Sequence, residues 1–409
     1  MGTGFILEAG LVVTLGYLVS WCIYCRAFHP LSKVPGPFWS SFTRLWLTHA
    51  VSRGDLDVVQ RELHRRYGPL VRIAPDEVAC ADPDAIRKIY RTTSPLNKSD
   101  FYHLWDVGAF SKYPNAFAIV PEKLHFERRR IVSSVYILTT AAASSPLIRR
   151  LIMGLFTLSS TARKGLKGMN HIIETARKSV DNRASAVGAA GKQERKDILH
   201  NLLAIVYSKG DRLDFSIEDV KNEAFAALTA GADATMIELQ AVFYYLAKDR
   251  CAYEDVRKEV DQAVESGKLS DFPSYSEAVQ LPLLTATIKE ALRMHPAVGM
   301  TMPRIVDEAG IELSGIFIPP GWKVGMNAAV VGRDKGVYGP DVNTFRPKRW
   351  IERTDLIMER CNSLVFGAGT RTCIGKQIAL MDPSKSWSTH DYFFNKQSGL
   401  QVKVRARGL

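Results

Sequence analysis

The sequence predicts a mainly helical protein with small β-sheets, and three patterns support this prediction. The longest helical pattern opens at Ser216, which forms a capping box with Asp219, and runs to about Lys248. A second amphipathic pattern covers Leu283–Met294, and residues 309–327 have the composition of strands joined by a turn. A helix as long as the first would cross a whole domain, since each residue adds about 1.5 Å.

The chain before residue 100 predicts a helix, a hairpin and a second helix. Asp57–Tyr67 has helical periodicity, which Gly68 and Pro69 end. Residues 70–83 are expected to form a short hairpin, and Pro83–Tyr90 is expected to return to helix. A proline- and arginine-rich coil is predicted from Gly332 to a glycine-rich loop near the C-terminus.

The N-terminus predicts a transmembrane anchor at residues 1–27, a proline-rich linker at 28–40 and one domain at 41–409. Residues 9–25 carry no charge, and Arg26 and Lys33 then place the following side in the cytoplasm. A cleaved signal peptide is the alternative, but the run lacks a basic start and a clear small-residue cleavage site.

The composition argues against a disulfide-rich scaffold and against a nucleic-acid-binding protein. The 409 residues are 46% hydrophobic and 23% charged, as in a globular protein, and the six cysteines do not form a disulfide-scaffold pattern. Cys22 and Cys25 have the spacing of a redox motif, but they lie in the uncharged apolar run. There the better interpretation is that they are small residues buried in the membrane. Net charge is +12. No nucleic-acid motif accompanies it, so an acidic protein partner or an anionic membrane is the better explanation.

The loop Phe366–Lys376 reads FGAGTRTCIGK and places one cysteine, Cys373, among glycines and basic residues. A thiolate ligand requires a tight loop, donors that face the sulfur, and positive neighbours that lower the thiol pKa. No second cysteine or histidine lies at zinc spacing. A buried structural cysteine and a nucleophile with a distant histidine base remain the alternatives.

The pattern F-x-x-G-x-R-x-C-x-G resembles the haem-binding signature of cytochrome P450, a family of haem-thiolate monooxygenases. The resemblance implies haem b with Cys373 as the axial iron ligand, and Arg371 as a contact of a haem propionate. The other signature positions that it implies for the haem loop are Phe366, Gly367, Gly369 and Gly375.

Glu290 and Arg293 in the segment EALR are three residues apart, so their side chains meet on one helix face. Taken alone, the pair is an ordinary surface ion pair. The resemblance instead implies a buried triad beneath the haem loop, completed by Arg349 from the coil.

The segment TAGADAT places Gly231 and Asp233 inside the longest helix, where a solvated face is the simplest interpretation. The resemblance implies an oxygen-binding kink in which Asp233 and a hydroxyl relay protons. Ala234 occupies the position of the family's threonine. Thr235 follows it, but neighbours on a helix point about 100° apart, so it does not automatically substitute.

The segment Lys123–Ser134 resembles the family's haem-facing C helix. The resemblance implies that His125 and Arg129 bind a propionate, together with Arg304, although a basic solvated helix face is the alternative. Further basic residues, Arg128, Arg130 and Lys376, would suit an acidic reductase.

Several segments, such as AGADAT, resemble in sequence those of filamentous-fungal family members near the pisatin demethylase group. The expected fold is a cytochrome P450 fold that lacks part of the helices between the C and I helices, within 140–215, and part of the last helix, after 380. The resemblance implies insertion of one oxygen atom from O₂ into an apolar substrate at the endoplasmic reticulum membrane. Electrons would come from NADPH through a reductase, with cytochrome b5 as a second donor. A shortened silent relative and a haem-binding protein without turnover are the alternatives.

Overall fold

The computed structural model describes residues 2–105, 111, 113–115, 117–125, 170, 172–185, 198–270, 273–352, 364–373, 390–391 and 395–396. Helices dominate these ranges. In chain order they are α1 Gly2–Ile23, α2 Leu45–Arg53, α3 Leu56–Tyr67, α4 Ile86–Ile89, α5 over 172–185, α6 Ile198–Leu213, α7 Ile217–Lys248, α8 Arg250–Glu265, α9 Tyr275–Ala278, α10 Pro282–Met294, α11 Ala328–Val331, α12 Lys335–Tyr338 and α13 Arg349–Glu352. The predicted mainly helical fold is confirmed.

Within the described ranges, short strands form three small sheets. The strands are β1 Leu70–Ala74, β2 Glu77–Cys80, β3 Arg304–Ile305, β4 Ile311–Leu313, β5 Ile316–Ile318, β6 Lys323–Gly325, β7 His390–Asp391 and β8 Asn395–Lys396. The largest sheet has the order β1-β2-β6-β3, and its β2–β6 pair is parallel. In the β4–β5 hairpin, Ser314 and Gly315 both have positive φ, at 45° and 77°. This backbone matches the right-handed strand twist. The predicted hairpins are confirmed.

The central helix α7 begins where the sequence predicts. The Ser216 backbone N–H donates to Asp219 at 2.8 Å, and the Asp219 N–H donates to the Ser216 hydroxyl at 3.4 Å. This reciprocal capping satisfies two of the helix's otherwise unpaired donors. The helix has 32 residues and is therefore about 48 Å long. It packs against α6, α8 and α10.

The proline-rich linker is fastened to strand β1. The Arg72 N–H donates to the Pro35 carbonyl at 2.7 Å, and the Ser40 hydroxyl donates to the Arg72 carbonyl at 2.6 Å. A Cβ at Gly36 would lie 2.4 Å from the Arg72 carbonyl oxygen, so only glycine allows this close approach.

The predicted transmembrane anchor at residues 1–27 is not supported by the structure. Residues 2–23 form helix α1, but no helix in the described part of the chain is both long and apolar enough to cross a membrane. The predicted losses within 140–215 and after 380 fall largely outside the described residues.

Candidate functional site

The cysteine loop is folded back on itself and lies against Tyr90, the residue that follows helix α4. The Cys373 backbone N–H donates to the Phe366 carbonyl at 2.7 Å, which closes the loop. Gly367 and Gly369 have φ values of 70° and 67°, a region that disfavours side chains. A Cβ at Gly369 would lie 2.1 Å from the Tyr90 carbonyl oxygen. Both glycines are therefore required for the position at which the Cys373 thiol, itself half-buried, is held.

Arg371 binds Glu122, a residue that lies far away in the sequence. The Arg371 Nε donates to the Glu122 carboxylate at 2.5 Å, and another guanidinium N–H donates to the Ile119 carbonyl at 2.8 Å. The Thr370 hydroxyl donates to the same carboxylate at 3.3 Å. Burial lowers the pKa of Arg371 to about 10 although Glu122 opposes this shift. These bonds fasten the cysteine loop to residues 119–122.

His125 and Arg304 lie on the same side of the molecule as this ion pair. His125 is 3% exposed, and its Nδ1 lies 3.8 Å from the Glu122 carboxylate. Arg304 donates to the Tyr102 hydroxyl at 2.9 Å and lies over the Tyr90 ring, 4.9 Å from its centroid. Arg304 lies close enough to Arg371 for its positive charge to lower the pKa of Arg371. Arg371 and His125 therefore both lie at the Glu122 carboxylate, and Arg304 is close enough for the charge of Glu122 to raise its pKa.

Glu122 was missed by the sequence reasoning. The available signal was its position three residues before His125, which places both side chains on one face of a helix. Residues 122–125 are indeed helical where they are described. The partner in the cysteine loop could not be seen, because nothing local in the sequence connects position 122 with position 371.

Glu290, Arg293 and Arg349 form a buried charge network. The Glu290 carboxylate accepts two hydrogen bonds from Arg293, each at 2.8 Å, and one from Arg349 at 2.9 Å. It also accepts from the Arg346 backbone N–H at 3.0 Å and the Trp350 indole N–H at 2.9 Å. Burial alone would raise the pKa of Glu290. The hydrogen bonds and the positive charge of Arg293 instead hold this pKa below its ordinary value.

This network joins helix α10 to the coil before the cysteine loop. Arg293 also donates to the carbonyls of Gly332 and Val342, at 2.7 and 2.8 Å. Both arginines and Glu290 are at most 2% exposed. Buried charges persist only when they are paired and fully hydrogen-bonded. The triad thus fixes the path of the coil that leads toward Cys373.

The predicted oxygen-binding segment lies in the middle of α7, which continues through Gly231 to Thr235 without interruption. Ala234 packs against the apolar cluster that contains Ile237, Ala297 and Met300. Thr235 is half-buried. The Asp233 side chain lies outside the described part of the structure.

Two further predicted haem contacts, Arg129 and Gly375, lie outside the described residues, as do Arg128, Arg130 and Lys376 of the predicted reductase-facing surface.

The described residues fit a haem group by the chemistry of their donors. A thiol stands on a tight glycine loop, and the basic groups of His125, Arg304 and Arg371 gather near a carboxylate, which is the chemical group of a propionate. Cys373 would hold the iron, and these three side chains would hold the propionates.

Comparison with known proteins agrees with this geometry. Residues 136–384 match the family model for cytochrome P450. The chain is 68% identical to "Cytochrome P450 monooxygenase gsfF" of Penicillium aethiopicum, with 99% of both chains covered. It is 30% identical to a cytochrome P450 monooxygenase of Aspergillus terreus, over 88% of this chain and 89% of the relative. It is 27% identical to pisatin demethylase of Fusarium vanettenii, over 94% and 87%.

The first of these alignments also bears on the length of the chain. It extends over 500 positions, whereas the chain has 409 residues, so the alignment requires gaps in this chain. The predicted shortening is confirmed.

This chain belongs to the cytochrome P450 family and is a cytochrome P450 monooxygenase. The family-model match, the overall identity and the arrangement of the cysteine loop all lead to this conclusion.

Proposed function

We propose that the chain is a haem-thiolate monooxygenase that inserts one oxygen atom from O₂ into an apolar small molecule. The observation that carries the proposal is the Cys373 loop, which is closed by its own backbone and fastened to residues 119–122 through Arg371. When bound, haem b with a thiolate ligand activates dioxygen, and electron donation from the sulfur favours O–O cleavage.

The chain's own residues have separate tasks in this reaction. Cys373 supplies the thiolate, and the glycines of its loop allow a flat group to approach the backbone. His125, Arg304 and Arg371 neutralise the cofactor's carboxylates and set its orientation. The Glu290 triad acts at a distance, since it fixes the coil that carries the loop.

The proposed substrate class is a fungal secondary metabolite or toxic compound that undergoes hydroxylation or O-demethylation. One relative is named for demethylation of pisatin, which supports this class. The proposed electron source is NADPH through a reductase, with cytochrome b5 as a second donor. The net charge of +12 suits an acidic partner of this kind.

The proposed location is the endoplasmic reticulum membrane, with the catalytic part facing the cytoplasm. Exposed apolar side chains of α1 support contact with lipid: Val12 and Val13 are 68% and 72% exposed. Cell fractionation tests this proposal, and recovery of the full chain in the soluble fraction would contradict it.

A catalytically silent relative, or a haem-binding protein without turnover, is the second candidate. The gaps in the alignment with the 68% identical relative favour it, since lost segments remove packing partners of the fold.

A carbon monoxide difference spectrum of the reduced, purified full chain tests the proposed function. We expect the absorption of thiolate-ligated haem, and Cys373→His should abolish it because imidazole replaces the sulfur donor. The matched control is Cys251→Ser, which changes an exposed cysteine on α8 and should leave the spectrum unchanged. A wild-type chain without haem, or with nitrogen ligation, would contradict the proposal.

A further inference from the structure

Helix α7 contains a buried carboxyl group that the proposed reaction does not yet use. Glu238 is only 6% exposed. Ala234, one turn before it, and Ile237, directly before it, belong to one apolar cluster, and Ala241 and Val242, one turn after it, belong to a second. A carboxyl group between two apolar clusters costs several kcal/mol if it is charged and unpaired. Its presence there requires an explanation.

Pairing with a cation does not supply this explanation. Two other buried glutamates have basic partners: Glu77 lies 2.8 Å from Arg44, and Glu290 is bound by Arg293. No such ion pair and no hydrogen bond is formed by Glu238 with any residue that the structure describes. Burial raises the pKa of Glu238 to about 8, so its carboxyl group carries a proton at neutral pH.

Glu238 lies on α7 one turn after the predicted oxygen-binding segment. Glu238 follows Ala234 by four residues and Thr235 by three, so all three lie near one face of α7. Side chains of a helix lean toward its N-terminus, and a long side chain covers the turn before its own Cα. We therefore expect the Glu238 carboxyl group to lie over the turn that contains Ala234.

The same region connects α7 with the cofactor side of the molecule. Ala234 packs against the cluster that includes Tyr102 and Ala118. Tyr102 accepts a hydrogen bond from Arg304, and the carbonyl next to Ala118, that of Ile119, accepts one from Arg371. The turn of α7 just before Glu238 therefore packs in the same apolar cluster as Tyr102, which contacts Arg304, and Ala118, which adjoins the residue bound by Arg371.

We propose that Glu238 is a proton donor for oxygen activation and takes over the task of the hydroxyl that Ala234 lacks. This inference rests on the proposed function. The overall reaction is RH + O₂ + 2e⁻ + 2H⁺ → ROH + H₂O, with the electrons supplied by NADPH. The Glu238 O–H bond breaks, the proton passes to reduced oxygen through water, and the resulting carboxylate takes a new proton from solvent.

The test compares Glu238→Gln with the wild type in the haem-loaded full chain with reductase and NADPH. Glutamine keeps the size of the side chain but cannot release a proton. We expect an unchanged carbon monoxide spectrum, about tenfold or more loss of product per NADPH, and more hydrogen peroxide. Ala234→Thr added to Glu238→Gln should restore product, whereas a purely structural Glu238 would not be rescued in this way.

A second measurement does not depend on turnover. Infrared spectra of the haem-loaded full chain at neutral pH should contain a protonated-carboxyl band that Glu238→Gln removes. Absence of that band, or equal coupling in Glu238→Gln and the wild type, overturns the inference alone. A wild-type chain that loads haem but forms no product overturns the proposed function and the inference with it. If Glu238→Gln fails to load haem, Glu238→Asp keeps the acid and should retain partial coupling; no coupling there contradicts the inference.

Discussion

Glu238→Gln should remove a pH-dependent loss of stability from the folded protein. The pKa of Glu238 is raised by burial from an ordinary 4.5 to about 8. Between these values the folded state binds more protons than the unfolded state, so stability falls as pH rises through this window. From pH 4.5 to pH 7 the loss is about 3 kcal/mol, since one pH unit corresponds to about 1.4 kcal/mol. Glutamine carries no charge and avoids this loss.

The assay is thermal or urea unfolding of the haem-free protein at several pH values between 5 and 8.5. The difference in stability between Glu238→Gln and the wild type should increase toward high pH in favour of the variant. Glu265→Gln is the matched control, because Glu265 is exposed on the neighbouring helix α8 and should change little. Parallel stability curves for Glu238→Gln and the wild type would show that Glu238 is not a buried neutral acid.

Three other substitutions test the site. Glu290→Gln removes the charge that compensates two buried arginines and should lower the free energy of unfolding by about 3–5 kcal/mol in urea titrations; an unchanged midpoint would contradict the buried-network interpretation. Glu122→Gln should increase the affinity of the haem-free protein for hemin, measured by absorbance titration, because Arg371 then binds only the propionate; weaker binding would instead indicate that Glu122 mainly positions the loop. Gly369→Ala should lower haem content and cost about 1–3 kcal/mol of stability, since its φ is positive; full haem loading of this variant would refute the required close approach to Tyr90.

Much of the fold was predictable because its signals are local. The capping box of Ser216 and the periodicity that follows it marked the start of α7, and the hairpin turn at Ser314 and Gly315 followed from strand and turn composition. The N-terminal apolar run illustrates the limit of such signals. It predicts a transmembrane anchor, which the described residues do not support.

The family and the candidate iron ligand could be read from the amino-acid pattern alone, because ligation by Cys373 requires a contiguous loop whose glycines and arginine stand at fixed spacing. It also predicted which arginines accompany Glu290, through spacing on one helix and resemblance in the coil. The pairing of Glu122 with Arg371 and the burial of Glu238 without a described partner became visible only in the folded chain. Ion pairing and desolvation depend on which distant segments pack together, and that packing is a property of the whole fold.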